Sequence, residues 1–335
     1  MTAGSDSGHR VRVGSELKAP DASEIRAARG RIDGIAIRTP LIRLNFDSDP
    51  AEIYLKLENL QPIGSFKVRP AGNAVAALDP TVRQEGVYTA SSGNMAQGVA
   101  YAARALGVPA TVLLPAHAPL VKVDAVERFG ATVRPMGDDE WWRVLDDHGD
   151  PDQAGTFIHP VAHPDVVAGD ATVGAEILED LPDVDTVVVP FGGGGLMAGV
   201  ASAMRALSPG VRVLAAESEH CAPLAASLEA GRPLEVPGPP TFITGIGIGR
   251  VLEEMWPLVS GLADGAVVSS LDEIVAAMAL LFERNRVVAE GAGAAPVAAA
   301  LAGRAGAGKV VCVISGGNIG AAPFCDVLHG DVPGP

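Results

Sequence analysis

Between about residue 20 and residue 325, short β-branched runs alternate with longer alanine- and leucine-rich segments. The apolar runs predict strands at residues 52–56, 86–90, 110–114, 131–135, 156–159, 186–190, 211–216, 266–269 and 309–314. Between them, helical spacing appears at residues 96–106, 120–129, 196–207 and 271–285, the second stopped by Gly130. This alternation predicts an α/β fold of open, mostly parallel sheets flanked by helices on both faces. In such sheets ligands sit at the carboxyl ends of the strands, on the loops that lead into helices. Residues 1–20 mix polar and charged positions without periodicity and read as a mobile tail.

Composition narrows the function classes. A chain of 335 residues, 48% of them apolar, can build about two domains with a substantial core. Its net charge of −15 argues against a nucleic-acid partner and against docking on anionic lipid. The uncharged stretch from Thr186 to Met204 is long enough to span a membrane, but Pro190 and four consecutive glycines make it a strand, a loop and a helix instead. The polar, charged first 25 residues show no secretory signal pattern. Cys221, Cys312 and Cys325 have no metal-ligand spacing and read as reduced thiols of a cytoplasmic protein.

The unusual residues fall on four loops that each follow a strand. Phe191-Gly192-Gly193-Gly194-Gly195-Leu196 enters a helix directly, where converging amides and the helix start suit a phosphate. A tight strand-helix turn accounts for it equally well. Ser91-Ser92-Gly93-Asn94 opens another helix and suits a small carboxylate, although Ser and Asn also serve as ordinary N-caps. Lysine is scarce, and Lys67 stands alone after the uncharged run from Gln61 to Phe66. A desolvated lysine loses its proton readily and can form a Schiff base. Ser315-Gly316-Gly317-Asn318 follows the last strand.

Taken in order, Gly64-Ser65-Phe66-Lys67-Val68-Arg69, Ser91-Ser92-Gly93-Asn94-Met95-Ala96-Gln97-Gly98, the four-glycine loop and Ser315-Gly316-Gly317-Asn318 resemble the fold-type II pyridoxal-phosphate enzymes, in the threonine/serine dehydratase and serine racemase branch. Two further stretches carry the resemblance: Leu55-Lys56-Leu57-Glu58-Asn59-Leu60-Gln61, and Pro119-Leu120-Val121-Lys122 running into Phe129-Gly130-Ala131-Thr132-Val133. The resemblance implies pyridoxal 5'-phosphate as cofactor. Lys67, beside Phe66, would hold it as a Schiff base and move the substrate α-proton. Gly192, Gly193, Gly194, Gly195 and Leu196 would wrap its phosphate, Asn94 would bond its ring hydroxyl, and Ser315 would meet its ring nitrogen. Ser91, Ser92, Gly93, Asn94 and Met95 would line the substrate, with Ser92 at the position of the opposite-face acid/base in racemases. Glu290 matches a family glutamate near the ring, and would equally suit a helix start.

The implied layout is a tail at 1–20, a larger cofactor-binding domain from 21–84 and 161–325, a smaller inserted α/β domain at 85–160, and a closing tail at 326–335. The expected activity is removal of water and ammonia from a 3-hydroxy-L-amino acid of threonine or serine type, giving a 2-oxo acid, in a cytoplasmic homodimer. The alternatives are racemisation or β-replacement with the same cofactor, and a non-catalytic binding protein on the same fold. Several residues depart from the family pattern. Met95 stands where histidine is usual, Val161-Ala162 where Phe-Asp is common, Gly169-Asp170-Ala171-Thr172 in place of Gly-Gln-Gly-Thr, and Pro70 in place of glycine. They suggest a more apolar substrate pocket. Some relatives hold a divalent cation just after the strand that ends here at Glu217; Pro223 takes the place of the required aspartate, so no metal is expected.

Overall fold

A computed structural model describes residues 17–47 and 49–335. The tail expected at 1–20 therefore lies almost wholly outside the described residues. The strands in chain order are β1 (Leu41–Arg43), β2 (Ala51–Lys56), β3 (Val87–Ala90), β4 (Ala110–Pro115), β5 (Thr132–Met136), β6 (Thr156–Phe157), β7 (Thr186–Pro190), β8 (Arg212–Ser218), β9 (Gly265–Ser269) and β10 (Gly308–Val313). They form a six-stranded sheet in the order β1-β2-β10-β7-β8-β9 and a four-stranded sheet in the order β5-β4-β3-β6. Among the described residues only β1 runs antiparallel to its neighbouring strand; the other strand pairings are parallel.

The last strand is inserted between strands that precede it in the chain. Cys312 on β10 pairs with Leu55 on β2 on one side and with Val188 on β7 on the other. Residues Val310 to Ile314 are fully buried, as a central parallel strand requires when helices cover both faces. Alternate side chains serve opposite layers. Val310, Cys312 and Ile314 pack with Met278 and Ala294, whereas Val311 and Val313 pack with Val173 and Met197. Because these strands are parallel, the loops after β2, β7 and β10 emerge on one edge. The loop after β3 of the smaller sheet faces them through the contacts described below.

Differences from the sequence reading have local causes. β1 is three residues long and carries the exposed Arg43, too short to show a period of two. The strand expected at 156–159 registers with β3 at Thr156 and Phe157 and adds the Ile158 amide on the Tyr88 carbonyl at 2.7 Å; past it, the His159 ring takes the amides of Val161 and Ala162. The helix expected at 120–129 ends at Glu127, ahead of Gly130 at φ +85°. Residues 326–329, read as tail, belong to a helix over Ala321–His329, anchored by buried Val327 and by Phe324 edge-on to Phe282. Among the described residues no helix is long and apolar enough to cross a membrane.

Candidate active site

The loop after β2 is stitched to the loop after β10. Ser65 and Gly316 form an isolated bridge, the Phe66 amide donates to the Ser315 carbonyl at 2.9 Å, and the Gly317 amide donates to the Gly64 carbonyl at 2.9 Å. Gly64 is at φ +72°, and a Cβ there would lie 2.5 Å from Asn318 Oδ1, so glycine is required. This bond pattern brings Lys67 and Ser315 to one place. Lys67 then opens the helix Val68–Ala77. Its Nζ donates to the Pro160 carbonyl at 2.7 Å and lies 5.1 Å from the centre of the Phe66 ring. Burial pushes this amine below the ordinary lysine range, against the pull of the Asp170 carboxyl.

The four-glycine loop follows β7 and turns into the helix Gly195–Leu207. A Cβ on Gly192 would lie 2.5 Å from the Gly245 carbonyl oxygen, and one on Gly193 would lie 2.6 Å from Val161. Any side chain here would push the loop off its walls. Gly194, at φ +94°, is the N-cap, and no side chain caps the helix. The amides and the positive end of the helix are thus left for a ligand, as a phosphate site needs.

The loop after β3 completes the arrangement. Gly93, not a Ser or Asn side chain, is the N-cap of the helix Asn94–Leu106, and no side chain caps that helix either. Ser91 Oγ instead accepts the Gly93 amide at 3.3 Å. Asn94 links three loops: its Nδ2 donates to Glu290 Oε1 at 3.0 Å, and its Oδ1 accepts from Asn318 Nδ2 at 2.8 Å. Glu290 precedes the helix Gly291–Leu301 without capping it, so its carboxyl is turned towards Asn94. Burial raises the Glu290 pKa to about 7, with the Asn94 hydrogen bond opposing.

Ser91 and Ser92 are half-buried and Gly93 is exposed, all at the open end of β3. Met95 is placed differently. Expected in the substrate pocket, it is 2% exposed and packs in the apolar core with Val68, Val99 and Ile158. Its side chain supports the loop from beneath, so Met95 is no evidence for an apolar pocket.

Three sets of residues escaped the sequence reading as parts of the site. Arg69, two positions after Lys67, is fully buried; its guanidinium meets Glu58 at 2.7 and 2.8 Å and both oxygens of Glu176 at 2.8 Å. Lys56 Nζ joins Glu176 at 2.6 Å, so two cations balance two carboxylates. The network ties the Lys67-bearing helix to β2 and to the helix Pro164–Asp180. Its signal was present in the family stretches containing Lys56, Glu58 and Arg69, but Glu176 gave no local signal. The second is Asp170, buried with both oxygens unpartnered. The third is His159, whose Nδ1 accepts the amides of Val161 and Ala162 at 3.1 and 2.6 Å, aiming Pro160 at Lys67 and Val161 at Gly193.

Among the described residues one cluster of metal-ligand type occurs, and it, like the carboxylate of Glu217, is otherwise engaged. His148, His159 and Glu254 bring ligand atoms within 4.8 Å of one another. Since His159 Nδ1 is an acceptor, the ring proton of neutral His159 sits on Nε2, 3.9 Å from Glu254, and no lone pair is left there for a metal. Glu217 accepts the amides of Leu224 and Ala225, each at 2.8 Å, and so anchors the helix Pro223–Ala230.

A buried lysine whose amine is held below its ordinary range, together with a glycine loop whose helix start no side chain caps, suits pyridoxal 5'-phosphate, which carries an aldehyde and a phosphate. The fold and site together define an enzyme of this cofactor class. The chain belongs to the family of pyridoxal-phosphate dependent enzymes, whose model matches residues 32–316. It is 43% identical over 305 residues to the L-threonine ammonia-lyase of Thermotoga maritima, covering 88% of this chain and 75% of that protein. Maize serine racemase superposes with a TM-score of 0.82 at 33% identity, covering 93% of this chain and 98% of the other. The processed form of threonine deaminase isoform 2 from Solanum lycopersicum superposes with a TM-score of 0.82 at 30% identity, covering 95% and 91%. The cofactor of the family is pyridoxal phosphate.

Proposed function

We propose that this chain is a lyase that removes water and ammonia from a 3-hydroxy-L-amino acid of threonine or serine type, giving a 2-oxo acid. The observation that carries the reading is the convergence of the Lys67 amine, the uncapped glycine loop and the uncapped Asn94 helix start, each suited to a different group of cofactor and substrate. The similarity to an L-threonine ammonia-lyase supports the choice of reaction.

Bound pyridoxal phosphate supplies an electron sink for the pair left on the substrate α-carbon. Lys67 would hold the cofactor through Nζ, and its free amine would be placed to take the substrate α-proton. A neutral, desolvated amine is the form that can do this. The amides of Gly192, Gly193, Gly194, Gly195 and Leu196 hold the phosphate, and Asn94, itself held by Asn318, meets the ring hydroxyl. Ser315 presents a neutral hydroxyl to the ring nitrogen, which favours loss of the β-hydroxyl over a long-lived carbanion. Ser91, Ser92, Gly93 and Asn94 take the substrate carboxylate at the helix start. The β-hydroxyl takes up a proton and leaves as water, and the released enamine shifts a proton to carbon to give an imine, which water hydrolyses to the 2-oxo acid and ammonia.

The same reading has residues 85–160 move as an inserted domain over residues 21–84 and 161–325, closing on substrate to exclude water. It places the protein in the cytoplasm, supported by the acidic charge and free cysteines, as a homodimer, supported by the family resemblance.

Proton NMR in heavy water with L-serine, L-threonine and a bulkier 3-hydroxy amino acid tests the reading. Release of 2-oxo acid is expected. Exchange of the α-proton without release would replace the lyase by a racemase, the reading that half-buried Ser92 and the likeness to serine racemase favour next. Cofactor binding with neither would leave a binding protein.

A further inference from the structure

Asp170 lies on the helix Pro164–Asp180 where two other helices press against it. On one side a Cβ on Gly169 would lie 2.6 Å from Pro70 Cα and 2.8 Å from the Arg69 carbonyl, in the helix that starts at Lys67. On the other, a Cβ on Gly199 would lie 2.5 Å from Asp170 Cβ, and one on Gly195 would lie 3.1 Å from Asp170 Oδ2. The carboxyl is therefore wedged under the first turn of the helix that carries the glycine loop. It is 0% exposed, and neither oxygen has a hydrogen-bond partner.

A buried carboxylate without donors is disfavoured against its protonated form. Burial raises the Asp170 pKa to about 7, with Lys67 and Arg69 lowering it and Glu58 raising it. Arg69 is already matched by Glu58 and Glu176. The helix Gly195–Leu207 carries no ionisable side chain before Arg205, so its uncapped start is the only other positive influence from that side. A phosphate in the glycine loop would take up that influence and add negative charge of its own. The carboxyl beneath it then has to hold a proton, and as an O–H it becomes a donor.

We propose that Asp170 is the protonated floor of the phosphate site: a phosphate-bearing ligand binds the form with a neutral Asp170, so binding takes up a proton and weakens as pH rises. The inference rests on the reading that the glycine loop holds the cofactor phosphate. Asp170 is a positioning residue, since it acts on the phosphate from beneath the loop.

The test is the dissociation constant of pyridoxal 5'-phosphate for the apoenzyme, measured between about pH 6 and about pH 9 for the native protein, Asp170→Asn and Asp170→Gln. Titration of the cofactor is common to all three and cancels in the ratio; that of Lys67 is not, because the Asp170 carboxyl pulls on its amine, and the comparison with pyridoxal separates the two. The ratio of native to variant dissociation constant should be flat at low pH and rise about tenfold per pH unit above about pH 7. A ratio independent of pH would overturn the proposal. Pyridoxal, which lacks the phosphate, should give no rise; an equal rise would show that Asp170 acts through Lys67 and would overturn it too. Should both variants misfold, calorimetry of the native protein in two buffers of different ionisation enthalpy near pH 8 decides: about one more proton taken up with pyridoxal phosphate than with pyridoxal is expected, and no difference refutes it. Failure of the native apoenzyme to bind pyridoxal phosphate at all would instead refute the underlying site.

Discussion

Lys67 Nζ donates a 2.7 Å hydrogen bond to the Pro160 carbonyl oxygen, 93 positions further along the chain. The acceptor is neutral, and no carboxylate lies within salt-bridge distance of the amine among the described residues. The contact orients the nitrogen without adding a counter-charge; the pull towards the protonated form comes from Asp170, and burial outweighs it, as a Schiff-base lysine needs. His159, by capturing the two amides after Pro160, holds the acceptor in place.

Lys67→Ala should abolish covalent cofactor capture and cut 2-oxo acid release by at least about 10²–10⁴-fold, the scale set by loss of a positioned base. The thermal midpoint should stay near that of the native protein, because the amine makes a single hydrogen bond to the protein. Cofactor absorbance and a coupled assay of the 2-oxo acid check both halves, and undiminished turnover would displace Lys67 from its role.

Arg69→Met leaves buried Glu58 with only the neutral donors Thr39 and Gln61, and Glu176 with Lys56 as its remaining buried cation. Removing one partner from a buried pair costs about 3–5 kcal/mol. Denaturant unfolding should show a loss of that size. A loss under about 1 kcal/mol would mean that water or rearrangement satisfies the carboxylates.

Gly192→Ala adds a methyl 2.5 Å from the Gly245 carbonyl, a backbone atom that cannot rotate away. Overpacking of about 1–3 kcal/mol should weaken cofactor binding by about ten- to hundred-fold. Fluorescence titration of the apoenzyme measures it.

His148 and Glu254 meet at 2.6 Å, and Arg250 meets Asp146 at 2.7 Å, joining the neighbourhood of the four-stranded sheet to the segment before the helix Trp256–Leu262. The Glu254 hydrogen bond holds the His148 pKa above its ordinary 6.5. A raised histidine stabilises the folded state fully below that ordinary value and ceases to do so as pH rises through the raised one. Both side chains are partly exposed, so the contribution is about 0.2–1 kcal/mol. The stability difference between native protein and Glu254→Gln should shrink as pH rises through that window. A difference that grows with pH would contradict the pairing.

Met95→His restores the residue usual in the family but puts a polar ring among Val68, Val99 and Ile158. It should cost about 1–3 kcal/mol of stability and leave the ranking of L-serine, L-threonine and a bulkier substrate unchanged. A reversed ranking would return Met95 to the substrate pocket.

The α/β architecture was legible because buried parallel strands are continuous apolar runs and the helices between them carry their own period. The family was legible because Lys67, Ser91 to Asn94, Gly192 to Gly195 and Ser315 recur in a fixed order. Motif order alone does not tell whether a side chain faces the cleft or the core, and Met95 shows the difference: its position beside Asn94 suggested the pocket, while the helical turn puts its thioether in the interior. Glu176 stands on a helix turn with no motif of its own, and Asp170, on the same helix, stood out only as a departure from Gly-Gln-Gly-Thr. The first became part of the site because Arg69 needed a second carboxylate, the second because close glycine contacts set two helices against it. What the chain alone determined is thus what depends on local periodicity and on short runs of residues. Which loops meet, which charges balance and which carboxyl is left without a partner were decided by the insertion of β10 between β2 and β7 and by the packing of the helices, because those contacts join residues far apart in sequence.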